Sequence, residues 1–279
     1  MTAPTATPAA TTTARASAPV PAATARRRAF TAILARDVVV TTRELPTFLA
    51  QVVLQPFFLV FVFGKVLADL GQTRAGYADL LLPGTIALTA VLTGLQGTAL
   101  PLVIDFSFTR EIEDRLLAPL AVELVAVEKV VFGALRSLVA ALVMFPVGVL
   151  VLGHIPFSAA RLPLLVVVLL LGSLLGSAMG LTLGTLVDPQ KINLVFALVL
   201  TPLLFTGCSQ YPWPSLSVLR WFQVVTLVNP LTYISEGARA AMEPGVPHIY
   251  SPISVGVAAL AVAGFLAVGI RGFRRRAVE

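Results

Sequence analysis

Charge is scarce in this chain. Of its 279 residues, 12% are Asp, Glu, Lys or Arg, against about 25% in soluble domains. Hydrophobic residues make up 57%, and mean hydropathy is +0.91. That is enough apolar sequence for several helical spans of about 20 residues each, so the chain reads as an all-α integral membrane protein. Cysteine occurs once, at Cys208. One thiol excludes an intrachain disulfide and builds neither a redox pair nor a thiolate metal cage. The two histidines, His154 and His248, fall in expected external loops, and no H-E-x-x-H is present; no metal site is expected. There is no GxxxxGK(S/T) loop, so ATP is not expected to bind here in the P-loop manner. No nucleophile–base constellation marks an intramembrane hydrolase, and no catalytic residue is assigned. The expected span interiors hold almost no charge, which argues against a proton- or sodium-coupled carrier. Arg136 lies close enough to the inner surface to snorkel. The net charge of +6 is explained by orientation and anionic lipid, and nucleic acid is not an expected partner.

What is present falls into zones. Residues 1–25 are almost all Ala, Thr, Pro and Ser, with Arg15 the only charge. Such a stretch buries too little apolar surface to offset its ordering entropy, which predicts a disordered cytoplasmic tail. No apolar run precedes Arg26, Arg27 and Arg28, so it does not read as a signal peptide. Residues 26–45 place Phe30, Ile33, Leu34 and Val38 on one helical face, with Arg27, Arg28 and Thr31 elsewhere. This predicts an amphipathic helix in the membrane interface. Six spans follow, at about 46–67, 80–104, 130–152, 162–187, 192–209 and 251–270. With the N-terminus in the cytoplasm, fifteen of the twenty Lys and Arg residues lie inside or at the inner boundary. Only Lys65, Arg74, Arg161, Arg220 and Arg239 remain outside. The reverse orientation would translocate most of the positive charge, and an even number of spans returns the C-terminus to the cytoplasm.

Residues 105–129, DFSFTREIEDRLLAPLAVELVAVEK, hold six of the fourteen acidic residues. A charge at mid-bilayer costs at least about 2.5–3.5 kcal/mol, so this segment belongs in water or at the interface. Glu111 and Arg115 are spaced i, i+4, with Glu113 and Asp114 beside them, and Pro119 stops or bends the helix. Leu116, Leu117 and Leu120 add apolar contacts. Such a short helix suits the groove of a soluble partner; a solvated linker is the equal alternative.

Residues 210–250 contain five prolines. They predict two short helices, about 215–228 and 231–243, each too short to span. Ser215 is the expected cap of the first. Asn229 is the expected cap of the second, with Pro230 at its first position. A pair that dips into the outer leaflet and returns is favoured over a pair lying flat. In the fourth span Gly172, Gly176, Gly180 and Gly184 recur every four residues. One face is thus nearly free of side chains, which suits close helix packing, within the subunit rather than at a dimer seam.

Three features together resemble the membrane permeases of type-two ABC transporters, in particular the daunorubicin-resistance-type drug-export branch. They are TREIEDRLLAPLAVELVAVEK at 109–129, LTPLLFTGCSQYPWPSLSVLRWFQVVTLVNPLTYISEGAR at 200–239, and the order of interfacial helix and six spans. The chain departs from the family in reading EIEDRLL where many members have a Gly-containing turn. It also departs in the outer loop GCSQYPWP, which brackets Trp213 with prolines. The resemblance implies a pathway built by two permease subunits, as a homodimer or heterodimer. It implies two separate cytoplasmic ATPase subunits holding ATP and Mg²⁺, with no cofactor in this chain. Membrane lipid is the remaining partner. The ATPase would be contacted by Arg110, Glu111, Glu113, Asp114, Arg115, Leu116, Leu117, Pro119 and Leu120, by the helix near Arg36–Glu44, and by the loop holding Asp188 and Lys191.

The fifth span and outer helices would then line or gate the exit. The candidate pathway residues are Asn193, Phe196, Thr201, Phe205, Thr206 and Tyr211. That lining is apolar with scattered hydroxyls and suits a hydrophobic or amphipathic, drug-like compound moved outward. Two alternatives carry less. Export of a cell-envelope glycolipid or polysaccharide would favour Tyr and Trp, whereas the 8% aromatic content is mostly Phe. A non-transporting scaffold or immunity protein would leave the charged segment a mere loop.

Overall fold

The computed structural model describes residues 22–73, 76–106, 121–157 and 159–278. Among them there is no strand. The long helices are α1 (Ala22–Arg43), α2 (Leu45–Asp69), α3 (Tyr77–Ile104), α4 (Val122–Leu152), α5 (Leu162–Leu186), α6 (Ile192–Thr206) and α9 (Ser251–Val278). Two short ones, α7 (Arg220–Thr226) and α8 (Pro230–Met242), lie between α6 and α9. Six segments are long and apolar enough to cross a membrane: α2, α3, α4, α9, and α5 and α6 each with a leading 3₁₀ turn. The protein is thus an all-α integral membrane protein. α2 carries an internal π-helical stretch, Val60–Val66, just beyond Pro56; proline removes one backbone donor and crowds the preceding turn.

α3 is the central strut. It packs most closely on α5, because both helices bring glycine to the same face. A Cβ on Gly176 would overlap the Val91 carbonyl oxygen, and one on Gly180 would stand 2.5 Å from that of Leu95. Gly94 of α3 reciprocates, with Ser177 N 2.9 Å from the place of its missing Cβ. A Cβ on Gly184 would lie 3.1 Å from the Ala99 oxygen, and one on Gly172 would be 2.8 Å from Ile234. All four ladder glycines therefore face partners within this chain, in the close backbone approach that small residues permit. α5 is also bound to α9: Thr182 Oγ1 donates to the Phe265 carbonyl at 2.8 Å. The main core joins α3, α5, α6 and α8 through residues such as Val91, Leu95, Leu175, Phe196 and Ile234. Outward faces of α2, α4, α6 and α9 stay apolar, with Leu54, Phe58, Leu142, Leu198 and Leu260 exposed on the single chain.

Several details differ from the sequence reading. α1 begins at Ala22, inside the stretch expected to be a disordered tail. Phe30 and Ile33 pack against the cluster around Val125 and Phe273, but Val38 is exposed. α4 begins at Val122, eight residues before the expected start. Its first turns are held by buried Val125 and Ala126 and by Lys129 pairing with Asp105 at 2.7 Å. α9 continues past 270, because Phe273 is fully buried and Arg274–Arg276 meet the negative helix terminus. Ser215 is not an N-cap. It sits within a 3₁₀ turn, Trp213–Val218, and α7 starts only at Arg220. The cause lies ten residues apart in the chain: Trp213 and Gln223 tie that turn, the indole donating to the Gln223 carbonyl at 3.1 Å and Gln223 Nε2 to the Trp213 carbonyl at 3.2 Å. Asn229 does cap α8, its side chain accepting from Leu231 N at 2.9 Å.

The two short helices have opposite fates. α7 presents Trp221 and Val224 outward. α8 is too short to span, yet Leu231–Met242 is almost wholly buried among α3, α5 and α9.

Candidate functional site

At the inner-facing end of the sequence reading lies the charged segment. Arg110, Glu111, Glu113, Asp114, Arg115, Leu116, Leu117, Pro119 and Leu120 fall outside the described residues. What flanks them is tied together. Asp105 and Lys129 form a mostly buried pair at 2.7 Å. Phe106 meets Phe273 edge-on, with ring centroids 5.2 Å apart. Arg276 sits over Phe106 at 5.0 Å and donates to the Gly184 carbonyl at 3.0 Å. The ends of α3, α4, α5 and α9 thus meet one another there. Arg36 and Glu44 are exposed and line a groove at the α1–α2 elbow with Thr41, Phe48 and Arg136. Asp188 and Lys191 are also exposed and pair at 3.6 Å. Arg136 does not extend freely to the surface: its guanidinium lies over Phe48, 4.4 Å from the ring centroid.

The other end is built on a pair that the sequence reading missed. Arg239, expected among the outside charges, is completely buried, as is Glu236. Arg239 Nη1 donates to Glu236 Oε1 at 2.7 Å. Its Nε donates to the Leu80 carbonyl of α3 at 3.1 Å. Its Nη2 donates to the carbonyls of Cys208 and Ser209 beyond α6, at 2.5 and 2.8 Å. Glu236 also accepts from Trp213 N at 2.9 Å and from Ile249 N at 3.0 Å, ahead of α9. One ion pair therefore joins four segments of the chain. Burial pulls the Arg239 pKa down from its ordinary value, and Glu236 opposes that shift. Cys208 takes φ of +50°, a left-handed conformation rare outside glycine, in the turn whose carbonyls meet Arg239. Gly84 admits this turn: a Cβ there would overlap the Ser209 carbonyl and lie 2.7 Å from Arg239 Nη2. Arg161 secures the end of α8 by donating to the Ala240 carbonyl at 2.8 Å.

Of the pathway candidates, Asn193, Thr201 and Phe205 are exposed on α6. Phe196 is not: it is buried in the main core with Ile192 and Leu203, so within this chain it packs. Thr206 accepts from Asn229 Nδ2 at 2.9 Å. Tyr211 donates to the Phe205 carbonyl. Among the described residues no cluster of three His, Cys, Asp or Glu could hold a metal ion; His154 instead meets Asp79 at 2.7 Å.

Comparison with known proteins covers both ends. Residues 28–242 match the ABC-2 type transporter family. Over 197 residues the chain is 26% identical to the inner membrane transport permease YadH of Escherichia coli K12, covering 68% of this chain and 74% of that protein. YadH of Shigella flexneri gives the same figures. The family match extends from within α1 to the end of α8, taking in both the charged segment and the Glu236–Arg239 pair. With six membrane-length helices and a match over most of its length, this chain belongs to the ABC-2 type transporter family and is a multi-pass membrane permease.

Proposed function

We propose that this permease is the membrane subunit of an ATP-driven exporter of the daunorubicin-resistance-type branch. It carries a hydrophobic or amphipathic, drug-like compound out of the cytoplasm or inner leaflet. Two cytoplasmic ATPase chains bind ATP and Mg²⁺, and a second permease subunit completes the pathway. Both termini lie in the cytoplasm, and YadH, an inner membrane permease, supports placement in the inner membrane.

The observation that carries this reading is the continuity of α3. It is a single helix of 28 residues, about 42 Å long at 1.5 Å per residue. One end leads into the charged segment; the other supplies the Leu80 carbonyl to Arg239. In this mechanism ATP binding draws the ATPase subunits together and moves residues 107–120. α3 passes that motion to Arg239, and through it to the turn after α6 and to Trp213. The energy enters as the differing affinity of the ATPase for the two states.

The test is purification of the full chain from its own membranes in mild detergent, with mass spectrometry of what accompanies it. The expected result is a stoichiometric soluble chain bearing a GxxxxGK(S/T) loop, lost when Glu111→Arg and Arg115→Glu are combined. Recovery of this chain alone, under conditions that preserve a known ABC complex, would overturn the proposal.

A further inference from the structure

A cavity of about 270 Å³ lies between α2, α3 and α4. Its walls are unusual for a membrane interior. Gln51, Gln55, Thr93 and Gln96 line it, and Arg136 stands at the end near Phe48 and Pro101. Arg136 makes no ion pair with any described carboxylate, and its Nε is buried without a hydrogen-bond partner. Aromatic rings hold this half-buried cation, and Glu44 across the elbow groove favours its charge without closing to an ion pair; such a cation is expensive in a membrane and marks a functional position. Further along, the lining turns apolar, through Val52, Leu59, Leu88 and Leu92. From Phe48 to Leu59 this runs about 16 Å along α2, at 1.5 Å per residue. The cavity is open at its rim, where Gln51, Gln55 and Gln96 are exposed.

We infer that this cavity binds an anionic amphiphile, its phosphate or carboxylate head on Arg136 and its tail along the apolar wall. A guanidinium can donate two parallel hydrogen bonds to such a head; here they come from the two Nη groups, because Nε is closed over by the protein. The glutamines supply donors and acceptors for an ester or hydroxyl next to the head. The inference rests on the geometry of this chain and not on the ATPase or the direction of transport. One chemistry could have two sources: an anionic phospholipid of the bilayer, or a single-chain anionic cargo.

The full chain, delipidated in non-ionic detergent, is titrated with phosphatidylglycerol, phosphatidylcholine and hexadecyl phosphate, and bound molecules are counted by native mass spectrometry. Phosphatidylglycerol or hexadecyl phosphate is expected to bind about tenfold or more tightly than phosphatidylcholine, the scale of a charge-assisted contact. Phosphatidylglycerol displacing hexadecyl phosphate would identify a lipid site; the reverse would identify a cargo site, and both outcomes support the inference. Arg136→Gln is expected to abolish the preference, and Arg136→Lys to retain part of it. Should Arg136→Gln not fold, Gln96→Glu places a competing carboxylate in the same cavity and is expected to weaken anion binding about tenfold while leaving phosphatidylcholine unchanged. Equal binding of the anionic and zwitterionic compounds, or a preference unaffected by Arg136→Gln or Gln96→Glu, would overturn it.

Discussion

At the end of the bundle nearest residues 107–120, the described charges pair across partly accessible contacts, Asp105 with Lys129 at 2.7 Å and Glu123 with Arg274 at 3.9 Å. At the other end Glu236 and Arg239 also meet at 2.7 Å, but with neither side chain accessible. The difference lies in what each pair holds. Lys129 and Asp105 join two neighbouring helices. Glu236 and Arg239 also bind three carbonyls and two amide N–H groups from distant parts of the chain. A buried pair is a poor source of stability but a strong constraint on geometry, because removing one partner strands the other in low dielectric. The first pair joins two helix ends, and the second holds a single arrangement of four segments.

Breaking the buried pair is expected to have the largest effect. Arg239→Met leaves Glu236 uncompensated and three carbonyls unpaired, a loss of about 3–5 kcal/mol. Thermal unfolding in detergent would show it. Adding Glu236→Met should recover only part of the loss: it removes the stranded charge, but the three carbonyls stay unpaired and the Trp213 and Ile249 N–H groups lose their acceptor. Cys208 gives a local readout. Burial pushes its thiol pKa up to about 11, so thiolate is scarce at pH 8 and alkylation should be slow until pH approaches that value. In Arg239→Met the turn loses its anchor, and alkylation at pH 8 should accelerate. Equal alkylation rates in the two proteins would show that Arg239 does not hold the turn.

Two glycines of α3 sharpen the same contrast. Gly84→Ala drives a Cβ into the Ser209 carbonyl, a backbone atom that cannot rotate away, and should cost about 1–3 kcal/mol. Gly97→Ala meets nothing within 4 Å, and should be neutral or stabilise by about 0.5–1 kcal/mol through helix propensity. Unfolding midpoints that move the same way would contradict the close approach at the far end. Lys129→Ala falls between them. It strands Asp105 at a site still about a tenth accessible, and a loss of about 1–2 kcal/mol is expected.

The helices were legible because long apolar runs ending in charge or proline have few other outcomes. The glycine ladder was legible as a packing face, since its four-residue period needs no partner to be seen. Its partner, α3, was not named by that period. The Glu236–Arg239 pair was missed because charge was counted as a marker of water. The available signal was its setting: in S-E-G-A-R-A-A, the i, i+3 charges stand among small residues that let other backbones close over them. Ser215 was misread because capping preference is local, whereas the Trp213–Gln223 bonds that set the turn span ten residues. The cavity at Arg136 depends on three helices and has no signature in any one of them.

The smallest effect on the isolated chain is expected at Lys191. Its side chain is 71% accessible and meets a similarly exposed Asp188 at 3.6 Å, a contact worth about 0–1 kcal/mol and weakened by salt. Lys191→Glu should therefore leave the unfolding midpoint of the isolated chain almost unchanged. If the 188–191 loop is a second contact for the ATPase, the same substitution should lower recovery of the partner chain, and more so at low salt, where surface charges are least screened. A shift in the midpoint comparable with that of Lys129→Ala would make the loop a structural element of the bundle. An unchanged midpoint with unchanged partner recovery would show that the loop is not a contact for the ATPase. Either outcome separates charges that hold this protein together from charges that another protein reads.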